Sequence, residues 1–188
     1  MDMMVTDDYR AVLRQSETGP KIVSKYISRP CLLDGKKFDF RFLIMVKPVS
    51  DTEIAVFTHN TYYIRIGNLN YSLDNFHQFQ KHFTVMNYKT DDEGEELEVI
   101  RYSQQEFIDA FQQEYQISWN TVRDKIFSAF NRFFTALKPQ ILKDDKSAFQ
   151  RSVHGVDVML DSEFNPYIVE VNFSPDARRI CHHEYPRF

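Results

Sequence analysis

The sequence predicts an α/β fold, a mainly antiparallel sheet with Phe-rich helices packed on one side. Three observations carry this expectation. Residues 37–42 (KFDFRF) alternate charged and Phe side chains without a fault, the period-two pattern of a strand with one buried face. Residues 156–160 (VDVML) and 167–173 (YIVEVNF) are two further apolar runs, and the turn-rich DSEFNP between them makes a hairpin. Residues 103–142 instead repeat their apolar side chains at helical spacing.

Taken in order, residues 7–16 predict a helix, with acids in the first turn and Tyr9, Val12 and Leu13 on one face; Gly19 and Pro20 stop it. Residues 21–27 (KIVSKYI) read as a strand. After the turn at Asp34 and Gly35, Lys37, Asp39 and Arg41 share one face, and residues 43–46 (LIMV) lose the alternation, as a strand does once both faces are covered. That charged face is either a ladder of solvated ions or the border of a pocket, and its place next to the most apolar stretch favours the pocket. Residues 53–58 and 61–66 read as two strands with His59 and Asn60 as their turn. On the second, Arg65 alone reads as a surface residue. Residues 76–87 are ambiguous between a short helix and a loop. Residues 90–98 carry six acids and no base, a solvated loop. Ser103 and Glu106 have capping-box spacing, ahead of Phe107, Ala110, Phe111 and Tyr115. Ser118 starts a helix to about residue 142, with Val122, Ile126, Phe130, Phe133, Phe134 and Leu137 inward and Pro139 as its kink or end.

At 188 residues the chain can bury one substantial core. A net charge of −4 argues against a general nucleic-acid binder, and no apolar run reaches membrane-spanning length. The acidic N-terminus has no signal-peptide pattern, so Cys31 and Cys181 read as reduced thiols of a cytosolic protein. The six His residues, including His182 and His183, lack finger-like partners, which leaves a zinc site without support.

The chemistry concentrates in the final hairpin. Glu170 and Asn172, one residue apart on a strand, point to the same side, with Val169, Val171 and Phe173 expected in the core. A hairpin brings Asp157 opposite them. Two carboxylates and an amide oxygen form a hard donor set of the kind Mg²⁺ takes, leaving the rest of its shell to water and phosphate. The plain alternative is a strand whose polar face meets water.

The stretches SKYI, KFDFR, HFT, GVDVML and IVEVN occur here in an order and spacing that resembles the tubulin–tyrosine ligase-like family of ATP-grasp ligases, from Lys21 onward. The resemblance implies the C-terminal part of an ATP-grasp ligase domain. It implies that Ser24, Lys25, Tyr26 and Ile27 are the hinge that frames the adenine nucleoside. Lys37, Asp39 and Thr84 then contact the nucleotide, Arg41 is the catalytic arginine directed at the phosphates, and Arg65 holds an amino-acid carboxylate. Asp157, Glu170 and Asn172 match the Mg²⁺ ligands. The implied cofactors are ATP and Mg²⁺, and the implied partners are the C-terminal tail of tubulin and a free amino acid, with neither nucleic acid nor membrane. The implied place is the cytoplasm or the microtubule.

Against the family pattern, Val85 stands where active members carry Asn, and nothing before Lys21 resembles the Gly-rich phosphate loop or its upstream lysine. The chain stops at Phe188, soon after a helix begins near Asp176. The expectation is therefore a partial domain over residues 1–188, lacking the phosphate loop and the last helix. Such a chain is either part of an ATP-dependent ligase or an inactive binding module for tubulin or nucleotide.

Overall fold

The structure is a computed structural model, and it describes residues 3–84, 101–144, 151–173 and 175. Val85, Asn87, the acidic run at 90–98, Asp176, Cys181, His182 and His183 lie outside the described residues.

Among the described residues, five strands and four α-helices follow one another as α1 (Tyr9–Gln15), β1 (Leu32–Leu33), β2 (Lys36–Pro48), β3 (Ile54–Asn70), α2 (Phe79–His82), α3 (Gln104–Tyr115), α4 (Trp119–Asp144), β4 (Ser152–Leu160) and β5 (Pro166–Asn172). β2 is the central strand. It pairs antiparallel with β3 along one edge and with β4 along the other, β5 pairs with β4, and the short β1 joins the start of β2.

One face of this sheet is the core. Phe38, Phe40 and Phe42 are at most 1% exposed, as the alternation requires, and they meet the apolar stripes of α3 and α4. The Phe40 ring lies 5.2 Å from Phe107 and 5.3 Å from Trp119, and Phe42 lies 5.2 Å from Phe130. Aromatic pairs of this kind add about 0.5–1.5 kcal/mol each beyond the area they bury. α3 starts with the expected capping box between Ser103 and Glu106. α4 runs on through Pro139, which does not end it.

Four expectations are corrected. Residues 21–27 form no strand; the side chains of Ile22 and Val23 are exposed, so the run has no buried face of the kind that favours a strand. The β2–β3 turn lies at residues 49–53, where the Val49 N–H donates to the Glu53 carbonyl at 2.9 Å. His59 and Asn60 are not a turn; with Thr61 they stand opposite Leu43 alone, a bulge within one long strand. The side chain of Gln104 braces it, accepting from the Tyr62 N–H and donating to the Asn60 carbonyl, each at 3.4 Å. In β5, a register shift between Asp157 and Val158 leaves Val169 unpaired and exposed, while Ile168 and Val171 face the core; Phe173, past the end of the strand, is exposed as well. α1 likewise keeps Tyr9 and Leu13 exposed, and Asp8 caps it from outside rather than from its first turn.

Candidate functional site

The opposite face of the sheet carries the charges, and neighbouring segments cover it. Antiparallel register puts directly opposed residues on the same face. Arg41 on β2 faces Tyr63 on β3 and Asp157 on β4, and Asp157 faces Glu170 on β5. One step along, Asp39 faces Arg65. Lys37, Asp39 and Asp157 are between 4% and 6% exposed, which excludes a ladder of solvated ions.

These groups satisfy one another. Arg41 Nε donates to Asp157 Oδ1 at 2.6 Å and Arg41 Nη2 to Asp157 Oδ2 at 2.7 Å, a two-point fork. Arg65 Nη2 donates to the same Oδ2 at 2.8 Å, and Arg65 Nε to Asp39 Oδ1 at 2.5 Å. The Thr84 hydroxyl donates to the other Asp39 oxygen. With its amide turned to suit both neighbours, Asn172 donates to Glu170 Oε1 at 2.9 Å and accepts from Arg41 Nη2 at 3.3 Å. Arg65, read from the sequence as a surface residue, is instead a half-buried bridge between two carboxylates.

Titration follows from this packing. Burial pushes the Asp39 carboxyl above its ordinary value, against the pull of Arg65 and Thr84. Burial also works against the charge of Arg65, but Asp39 and Asp157 outweigh it and hold the guanidinium pKa up. Hydrogen bonding to Asp157 raises Arg41. Lys37 is lowered to about 8 by burial, with Asp39 opposing. Its Nζ donates to the His82 carbonyl at 2.7 Å and to the Tyr26 hydroxyl at 3.4 Å.

Of the residues singled out in the sequence, Lys37, Asp39, Arg41, Arg65, Thr84, Asp157, Glu170 and Asn172 share this face, and Tyr26 reaches it through Lys37. Ser24 and Lys25 are exposed, and Ile27 is half-buried. Sequence reasoning passed over Gly155. A Cβ there would come within 2.9 Å of Pro175 and 3.6 Å of the Arg41 side chain, and a glycine inside an apolar strand was the available signal.

Among the described residues, no group of three or more His, Cys, Asp and Glu could hold an ion by itself. Asp157 and Glu170 do face each other, Glu170 is exposed, and Asn172 touches Glu170. This donor set fits Mg²⁺ that brings further oxygens with it, since Mg²⁺ is commonly bound by one or two carboxylates plus substrate phosphates.

Fold and site together define an α/β domain that holds ionised groups away from water on one sheet face. Residues 1–186 match the family model described as Tubulin-tyrosine ligase family, and the chain belongs to that family. It is 32% identical over 204 residues to Tubulin--tyrosine ligase-like protein 12 of Mus musculus and of Homo sapiens, covering 100% of this chain and 31% and 30% of those proteins. It is 25% identical over 190 residues to Tubulin glycylase 3F of Tetrahymena thermophila, covering 92% of this chain and 20% of that protein. The chain thus spans less than a third of the length of these relatives. Among the described residues, no helix is long and apolar enough to cross a membrane.

Proposed function

We propose that this chain forms part of a ligase-type domain that uses ATP and Mg²⁺ to join a free amino acid to the C-terminal tail of tubulin, in the cytoplasm or on the microtubule. The observation that carries the reading is the row Arg41–Asp157–Glu170 across β2, β4 and β5. It sets a guanidinium beside two carboxylates at the positions that resemble the family's phosphate and metal contacts. Membership of the family, and the word glycylase in a relative's name, support the tubulin assignment.

In this reading Asp157, Glu170 and Asn172 hold Mg²⁺. When bound, Mg²⁺–ATP would supply the phosphoryl group that activates a carboxylate as an acyl phosphate, with ADP released; an amine would then displace phosphate from the acyl carbon to form the amide. Ser24, Lys25, Tyr26 and Ile27 frame the adenine. Asp39 accepts from ribose hydroxyls, and Thr84 keeps that carboxylate oriented. Arg65 serves the amino-acid carboxylate from its place between Asp39 and Asp157. Lys37, Arg41 and Arg65 balance Asp39, Asp157 and Glu170 in formal charge. A donor that Arg41 turned from Asp157 to a phosphate oxygen would leave that carboxylate to Arg65, which already donates to its Oδ2, and to Mg²⁺. Preorganised donors of this kind are worth about 3–4 kcal/mol each at a transition state.

Calorimetric titration with Mg²⁺–ATP, beside ATP-dependent incorporation of labelled amino acid into tubulin, tests the reading. Glu170→Gln is expected to weaken Mg²⁺–ATP binding about tenfold, as one lost metal contact, and to leave the urea midpoint in place because Glu170 is exposed. Equal binding by parent and variant, or no nucleotide-dependent heat in either, overturns it.

A further inference from the structure

We propose that His82 is a positioning residue for the nucleotide site, fixing the Tyr26 hydroxyl and, through it, the ammonium of Lys37. The inference rests on the reading of Lys37 and of the hinge given above. It is carried by a run of hydrogen bonds whose direction is forced at every step. Lys37 Nζ can only donate, so the Tyr26 oxygen, 3.4 Å away, accepts from it. The Tyr26 O–H donates to His82 Nδ1 at 2.9 Å, because the other ring nitrogen faces the Asn75 carbonyl, which can only accept, and so holds the proton of the neutral ring. With Nδ1 an acceptor, the neutral ring carries its proton on Nε2, which donates to the Asn75 carbonyl at 2.9 Å. The backbone of the same residue closes the loop, since the His82 carbonyl accepts from Lys37 at 2.7 Å.

Packing holds the ring in that orientation. His82 is 1% exposed, stacked on Phe76 at 5.4 Å and 28°, with the Tyr26 and Tyr71 rings edge-on at 5.9 Å. The Lys37 ammonium also lies 4.8 Å from the Tyr26 ring centroid. One imidazole therefore joins the hinge segment, the loop after β3 and the charged face of β2. Two residues later, Thr84 reaches Asp39, so the same short stretch steadies both nucleotide-side groups of β2.

The arrangement has a definite response to acid. The ionisable groups facing the ring are Tyr26, Lys37, Tyr71, Lys81 and Asp74. Burial lowers the His82 pKa below its ordinary 6.5, with Lys37 and Lys81 adding to this and the Asn75 carbonyl and Asp74 opposing it. The ring is neutral at neutral pH. Protonating Nδ1 would set an N–H against an O–H already pointing at it, and a second cation beside Lys37.

The test titrates the full chain with Mg²⁺–ATP as the parent and as the Tyr26→Phe and His82→Gln variants. Tyr26→Phe keeps the ring and loses the hydroxyl; His82→Gln keeps one donor and one acceptor. His82→Leu, which keeps neither, is added, with urea midpoints to separate folding from binding. Tyr26→Phe and His82→Leu should each weaken binding about tenfold, as for a lost charge-assisted bond. Their double variant should be no weaker than either single, because both break one chain. His82→Gln should recover part of the loss. The parent, compared with His82→Gln at each pH so that protonation of the nucleotide cancels, should lose the additional affinity as the pH falls below the ordinary imidazole value of 6.5. Long-range ¹H–¹⁵N spectra of the ring should show the proton on Nε2. Binding within about twofold of the parent in both Tyr26→Phe and His82→Leu, or a proton on Nδ1, overturns the inference. If the parent gives no nucleotide heat while the Nε2–H tautomer is present, it is the nucleotide reading that fails; the hydrogen-bond chain then stands as a structural tie and the positioning role is overturned with the reading.

Discussion

Replacing Lys37 by Met separates what this residue does for the site from what it costs the fold. Burial lowers its pKa from 10.5 to about 8. At about 1.4 kcal/mol per pKa unit, that difference represents ~3 kcal/mol of destabilisation in the charged form. The penalty is complete below pH 8, where lysine is charged in both folded and unfolded chains. It is relieved as the pH rises from 8 towards 10.5, because the folded chain gives up its proton first. Methionine has a similar length and no charge to desolvate. Against that gain, the His82 carbonyl loses its donor, at about 1–3 kcal/mol. Lys37→Met should therefore be between about equal to the parent and ~2 kcal/mol more stable at pH 7, and the gap should shift in the parent's favour as the pH approaches 10. Urea unfolding at both pH values, with unchanged slope, measures it. A variant more than ~2 kcal/mol less stable than the parent at both pH values would refute the reasoning, and so would a pH-independent gap.

Asp157→Asn leaves Arg41 and Arg65 without their shared counter-charge and should lower stability by about 3–5 kcal/mol, read from the urea midpoint. Gly155→Ala drives a methyl group into Pro175 and against the Arg41 side chain; calorimetry should find weaker Mg²⁺–ATP binding, with a stability loss of about 1–3 kcal/mol. Burial lowers the pKa of His154 as well as that of His82. The unfolded chain therefore binds more protons just below pH 6.5, and stability should fall as the pH is lowered through that value. His82→Gln should flatten part of that decline.

The strand at residues 37–42 was legible because its two faces have opposite duties, and the alternation records both. The α3 capping box was legible because it is local. β3 was misread because a bulge uses the same polar residues as a turn, and only pairing with β2 distinguishes them. In β5 a single unpaired residue reverses the facing of Val169, which periodicity cannot foresee. Glu170 and Asn172 were placed on one face by spacing alone. That Asp157 would be held by two guanidinia was not legible, because each contact joins residues far apart in the chain. His82 was set aside with the other histidines, none of which has finger-like partners. Its partners, Tyr26 and Asn75, come from two other segments and share no sequence pattern with it.

The bond between Arg41 and Asp157 spans 116 positions of the chain, and this bears on how the protein is made. β2 and β3 close a turn of a few residues, whereas β4 must return across both long helices to reach the free edge of β2. On a flexible chain, closing a loop of that length instead of a turn of about five residues costs about 3 kcal/mol more entropy. Emerging from the ribosome, the segment through β3 thus carries Arg41 and Arg65 with only Asp39 to answer them, and an unpaired edge along β2. The hairpin of β4 and β5, synthesised after it, brings the missing acid and covers that edge. Assembly of the charged face and completion of the sheet are therefore one event in the life of the nascent chain.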